Sequence, residues 1–453
     1  MSPPTRRLPP RLVQALTSPA LRYAQRAVAE TRRRLGGAPH RILYFHQVDD
    51  PYSHLAAQVL ETLTGRYTIE LVPFLVGPPS DAAAPERERL ESFARKDAAD
   101  VAPGYGLAFP HRAGPPDAAD VKRAAALLAG ALPDGSFARR AAAVGEALWS
   151  GDRGRLDALA RGHPPADEAA VHAALAEGEA QRSRLGHYLG ATFHYGGEWY
   201  WGVDRLHHLE RRLEALGARR PGAAPGPTVV RPTPDAPIDP DAAPQVVEFF
   251  ASLRSPYTYI AMERVFSLPR RLPVEVVLRP VLPMVMRGLP VPREKQRYIL
   301  LDTRREAEDA GVPFGRVCDP VGRPVERCFS LFPWARERGR AGELLLAFAR
   351  AAFAEGVDAG TDAGMRHVIE AAGLPWDDAR LHLDRDTGWR DELEGNRSAL
   401  LSLGLWGVPS FRLVGRDGEP DFCTWGQDRL WRLEAELRSR IAADPGSART
   451  GCR

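Results

Sequence analysis

Two stretches of this chain repeat one another, and the repeat limits how it can be partitioned into folded bodies. Ile42 onward reads ILYFHQVDDPYSHLAAQVL, and Val247 onward reads VEFFASLRSPYTYIAMERV. With Pro51 set on Pro256, aromatic residues coincide at Phe45 and Phe250 and at Tyr52 and Tyr257. Aliphatic or small residues coincide at Leu55 and Ile260 and at Ala56 and Ala261. The far ends match too: Trp201 begins WGVDRLHHLE and Trp425 begins WGQDRLWRLE. Matches at both ends, in one order and at similar separation, mark a duplicated domain. Between the copies, Gly217 to Gln245 is a run of Pro, Ala, Gly and Asp. Such a run buries no core and reads as an extended linker. The expected organisation is a basic segment 1–38, a first body 39–216, a linker 217–245, a second body 246–442 and a tail 443–453.

A length of 453 residues at 44% hydrophobic suits two or three domains with real cores. Lys+Arg 61 against Asp+Glu 58 leaves +3, too small an excess to suggest nucleic acid. No apolar run approaches the roughly 18 residues of a membrane span. The first 37 residues carry Arg6, Arg7, Arg11, Arg22, Arg26, Arg32, Arg33 and Arg34 against the single acid Glu30. They hold no uninterrupted apolar core of a signal peptide, and a cytoplasmic protein is expected. Leu12 to Leu35 reads as a basic amphipathic helix, either laid on the domain or facing a membrane surface or anionic partner.

Each half reads strand, helix, strand, a long helical stretch, then two strands and a helix. In the second half the strands are expected at Val246–Ala251, Val274–Leu278, Ser410–Val414 and Phe422–Trp425. Helical patterns cover Arg293–Ala310, Glu343–Phe353, Ala363–Ala372, Arg390–Ser402 and Asp428–Ile441. Strands at both ends with helices between them predict an α/β sheet interrupted by a helical insertion.

Three loops could carry chemistry. At Ser255-Pro256-Tyr257-Thr258 a strand turns into a helix with Pro at its first turn. Ser255 is either an N-cap or a hydroxyl donor to an anion held at the helix start. At Trp406-Gly407-Val408-Pro409-Ser410-Phe411 the Val-Pro step is either a trans turn or a cis bond presenting the Val408 backbone to a ligand. At Gly426-Gln427-Asp428-Arg429, Asp428 either caps the last helix or accepts from a ligand ammonium group.

SPY, GVPSF and WGQDRL together resemble the DsbA-like branch of the thioredoxin superfamily. The second body is most similar to 2-hydroxychromene-2-carboxylate isomerases and kappa-class glutathione transferases. The resemblance implies two tandem thioredoxin-like domains, each with a helical insertion, and glutathione as the cofactor. It implies that Ser255 hydrogen-bonds the glutathione sulfur and that the Val408 backbone, before a cis Pro409, pairs with the cysteinyl part. Gln427 and Asp428 would hold the γ-glutamyl end. The implied activity is thiolate-dependent isomerisation of a small conjugated, aromatic-derived acid. A kappa-like transferase and a redox-silent thioredoxin-like binding protein are the alternatives.

Dithiol oxidoreductases of this fold need CxxC at the first turn. Here Ser255 and Thr258 stand there, and Cys318, Cys328, Cys423 and Cys452 are scattered. The isomerases' Gly-Asn pair after the second strand has no counterpart in Met286-Arg287-Gly288-Leu289-Pro290. Lys295, Tyr298, Asp302 and Arg305 are spaced like a solvated helix stripe. The first body departs further, with Asp50 on the Ser255 position and either Ala191 or Thr192 on that of Pro409. It reads as a degenerate copy, a scaffold or pseudo-subunit, since members of the family pair as dimers and a tandem is a covalent substitute. His46, His54, His194, His207 and His208 match no standard ligand spacing, so no metal is expected.

Overall fold

The apolar stretches at the start of each body become the central strands of two sheets. The computed structural model describes residues 9–110, 114–385, 387–416 and 418–443. Arg6, Arg7, most of the expected tail and Cys452 lie outside them. The described residues divide into two compact units. One holds Tyr23–Pro232 with Pro292–Lys295; the other holds Thr233–Val291, residues 296–443 and the chain before Tyr23.

In the first unit, β1 (His40–His46) pairs in parallel with β2 (Ile69–Leu75) and antiparallel with β3 (Thr192–Tyr195). β3 pairs antiparallel with β4 (Glu198–Trp201), giving the order β2-β1-β3-β4. In the second unit, β5 (Gln245–Ala251), β6 (Val274–Pro280), β7 (Ser410–Leu413) and β8 (Phe422–Trp425) give the order β6-β5-β7-β8 with the same directions. The register agrees as well: His40 faces Ile69 and Gln245 faces Val274. β5 is buried along nearly its whole length, as a central strand covered on both faces must be.

The two cores share their anchors. Tyr44 faces Phe193 across β1 and β3 with ring centroids 4.8 Å apart. Phe249 faces Phe411 across β5 and β7 at 5.3 Å, stacked. Cross-strand aromatic pairs of this kind pin register and bury large areas. A second pairing also recurs. Tyr52 donates to Asp97 at 2.8 Å, and Tyr257 donates to Asp302 at 2.7 Å, each 45 residues along the chain.

A helical insertion separates β6 from β7. It includes Arg293–Asp309, Ala341–Arg350, Asp362–Ala371 and Trp389–Ser402 where periodicity predicts helices. The short helices Arg323–Ser330, Phe332–Glu337 and Trp376–His382 are additional. The first unit's insertion runs through Arg87–Val101, Ala118–Gly130, Phe137–Ser150, Arg153–Gly162 and Glu168–Leu185.

The segment 217–245 forms no helix, and only Gln245 joins a strand, but it does not float. Glu210 accepts from the Thr228 backbone N–H at 2.7 Å, and Val229 is buried. At the amino end, the single helix expected over Leu12–Leu35 is broken into Pro10–Leu16 and Pro19–Leu35. Pro19 lacks an N–H to continue the first helix and sits at the start of the second, where none is needed.

Candidate functional site

β5 ends at Ala251, and the chain turns into the helix Pro256–Phe266. Ser255 is extended, with φ −89° and ψ 112°, and is half-buried. Its Oγ accepts from the Thr258 N–H at 3.1 Å and donates to the Val408 carbonyl at 3.3 Å. One hydroxyl thus bridges the helix start and the loop before β7. The Val408–Pro409 peptide is cis. The Pro409 carbonyl accepts from the Gly426 N–H at 2.9 Å, which joins the third loop to the second. Ser255, Val408 and Pro409 are therefore brought together, with Gly426 at their edge.

The Gly residues here are required by close approach. A Cβ on Gly407 would overlap the Trp425 indole, and Gly426 sits at φ 126° with Asp428 folded back over it. Gly407→Ala should lower stability by about 1–3 kcal/mol, the usual penalty of overpacking, measured by thermal denaturation. An unchanged melting temperature would mean that the indole moves freely aside.

The last helix does not begin at an Asp428 cap. A 3₁₀ turn, Gln427–Arg429, leads into Leu430–Ala443, so Asp428 lies inside that turn. Gln427 is committed to the interior. Its Oε1 accepts from Arg264 at 2.7 Å and its Nε2 donates to Glu306 at 2.7 Å. The stripe expected to be solvated is not. Tyr298, Asp302 and Arg305 are buried, and Asp302 accepts from Tyr257 at 2.7 Å and from Arg305 at 2.6 Å. A helix stripe that finds partners of opposite charge inside the domain no longer needs water. The Tyr257–Asp302–Arg305 and Arg264–Gln427–Glu306 networks hold the helix that carries Ser255. Sequence spacing alone did not point to them as partners.

Residues 246–438 match the family described as the DSBA-like thioredoxin domain. They form a DsbA-like thioredoxin domain. Solved structures similar to the chain include a 2-hydroxychromene-2-carboxylate isomerase, 20% identical over 45% of this chain and 100% of that one, with a TM-score of 0.37. A probable DsbA oxidoreductase from Streptomyces coelicolor is 21% identical over 46% of this chain and 93% of its own, with a TM-score of 0.34. The cytosolic disulfide reductase DsbM from Pseudomonas aeruginosa is 17% identical over 43% and 99%, with a TM-score of 0.31. No curated protein matches the chain.

Against the DsbA-like domain, the first unit has a rewired turn. Asp50 caps its helix, accepting from the Tyr52 and Ser53 N–H groups and from the Ser53 hydroxyl at 2.8 Å. Burial raises its carboxyl pKa to about 6, against the pull of those hydrogen bonds. Ala191, with φ 52°, stands where the DsbA-like domain has Pro409, since its carbonyl accepts from the Gly202 N–H at 2.7 Å. That resolves the choice between Ala191 and Thr192. The Ala191 N–H donates to Ser53 Oγ at 2.9 Å. Pro409 has no such N–H, and the matching hydroxyl, Thr258 Oγ1, is buried with no hydrogen-bond partner. Asp204, the counterpart of Asp428, accepts from Tyr105 at 2.6 Å.

Proposed function

We propose that the DsbA-like domain binds glutathione and uses its sulfur to isomerise a small conjugated, aromatic-derived acid in the cytoplasm. The observation that carries this reading is the Ser255 hydroxyl. It stands half-buried at the start of an eleven-residue helix, against the Val408 carbonyl, where dithiol enzymes of this fold need a cysteine.

The donor set suits glutathione group by group. A hydroxyl and helix N–H groups suit a thiolate, a half-buried backbone at Val408 suits a peptide, and the Asp428 carboxylate suits an ammonium group. Bound glutathione would supply a sulfur that adds reversibly to a conjugated double bond and leaves after rotation. Ser255 would turn its proton from the Val408 carbonyl to that sulfur, and the helix start would favour the anion. Gln427 has its side-chain amide already engaged, so its share in holding the γ-glutamyl end falls to its backbone.

Cys318 is half-buried, Cys328 and Cys423 are buried, and burial raises the Cys328 pKa. None stands at Ser255 or Thr258, which argues against dithiol exchange. A transferase is the second reading, favoured by the lack of an asparagine in 286–290. It differs in consuming glutathione.

Calorimetric titration of glutathione into the full chain should give one saturable site. Asp428→Ala should weaken it at least about tenfold, the loss expected for a charge-assisted contact. No heat and no thermal shift at millimolar glutathione would remove the cofactor and leave a redox-silent binding module.

A further inference from the structure

The helix Pro19–Leu35 is amphipathic in the reverse of the usual sense. None of its residues is buried. Over its part from Tyr23 onward, the side carrying Arg26 is tied to another element, while Glu30 pairs within the helix with Arg33 and Arg34. Arg26 makes a two-pronged pair with Glu198 at 2.5 and 2.8 Å. Glu30 accepts from Arg33 and Arg34, and Arg33 also donates to the Ala38 carbonyl at 2.8 Å. The opposite side carries Ala24, Ala27, Val28, Thr31 and Leu35, with Tyr23 at its edge beneath the Arg26 guanidinium, all exposed. Their spacing places them on one helix face. Val28 is 50% exposed and Leu35 is 85% exposed. Arg32 and Arg34 flank the face and are exposed.

We infer that this face seats the protein on an anionic lipid surface. Ala, Val, Leu and Tyr would enter the boundary between headgroups and acyl chains, and the arginines would meet lipid phosphates. Among the described residues no helix is long and apolar enough to cross a membrane, so the contact is peripheral.

Charge decides against the same helix of a second copy as the occupant. The helix holds five arginines and one glutamate. Two such helices would repel each other. The area decides likewise. Thirteen helical residues span about 20 Å, and a stripe about 10 Å wide offers roughly 200 Å², against about 800 Å² per partner in a stable dimer. A nucleic acid would match the arginines but give the exposed Val28 and Leu35 nothing apolar to cover them.

The test is flotation of the full chain with vesicles of phosphatidylglycerol and phosphatidylcholine in equal parts, beside phosphatidylcholine alone. Binding should favour the anionic vesicles at least about tenfold and weaken with added salt. Val28→Asp with Leu35→Asp, both at exposed positions, should cut binding about tenfold or more with circular dichroism unchanged, as should Arg32→Ser with Arg34→Ser. The proposal is overturned if the parent protein stays with neither vesicle, if it binds both equally, or if the aspartate variant binds like the parent. It is also overturned if sedimentation velocity shows a dimer that the aspartate variant dissociates without any vesicle binding.

Discussion

Between pH 7.5 and pH 4 the first unit should lose its cooperative fold while the DsbA-like domain keeps its own. His46, His54, His187 and His194 are held neutral chiefly by burial. The pKa falls to about 3 for His46, about 4 for His54, well below the ordinary value for His187 and about 4 for His194. Neighbouring His54 adds to the effect on His46, Arg182 and His194 to that on His187, and Arg212 to that on His194. In the unfolded chain each histidine takes its proton near pH 6.5. Their contribution to stability is therefore complete above pH 6.5 and is lost as pH falls toward the folded values. One proton difference is about 1.4 kcal/mol per pH unit, so four give roughly 5 kcal/mol per unit between about pH 6 and pH 4.

Asp50 works the other way. Its folded pKa is raised to about 6, so its contribution is present below the unfolded value and lost as pH rises through about 6. It offsets about 1.4 kcal/mol per unit in the same window, leaving a net slope of at most about 4, since burial also raises the pKa of Glu91 and of Glu210. A domain stable by about 5–15 kcal/mol does not survive two such units comfortably. The DsbA-like domain has only His367 and His382, both exposed. Limited proteolysis read by mass spectrometry, beside calorimetry at each pH, should place the new acid cleavages between residues 40 and 216. Equal melting behaviour at pH 4 and 7.5 would show that the four imidazoles find compensation on protonation.

The sheets and the turn were legible because both depend on local pattern. Short apolar runs at Val247 and Ile42, a Pro at a helix start and a Val-Pro before a strand each carry their own conformational preference. Two units with the same strand order also state each preference twice. Polar partnerships were not legible. Gln427 has the same sequence setting whether it meets a ligand or Glu306, which lies 121 residues away. Asp302 and Arg305 have a solvated spacing, yet Tyr257 draws them into a buried network. The orientation of the basic helix was not legible either. Its arginine content is plain in the sequence, but only the pair of Arg26 with Glu198 shows which side faces inward. Apolar periodicity reports what must leave water; it does not report which charges find partners.

Ser255→Ala should separate a catalytic hydroxyl from a structural one, because the two roles differ in size. As a cap, Ser255 satisfies the Thr258 N–H, and its loss is worth about 1 kcal/mol, a few degrees of melting temperature. As the donor to a thiolate, its loss should lower glutathione-dependent turnover by about 10²–10³-fold, as for removal of one donor to a developing anion. Ser255→Thr keeps both the cap and the donor and should retain most of the rate. The pH profile is the sharper reading. If the hydroxyl and helix start lower the thiol pKa, the alanine variant should form thiolate closer to the free-thiol value of about 8.5. Its deficit at neutral pH should then shrink in alkali. Thiolate absorbance of the bound cofactor, titrated in parent and variant, measures this without any substrate. Identical titrations, with the few degrees of melting temperature lost, would leave Ser255 a helix cap and move thiolate stabilisation to the backbone N–H groups of the helix alone.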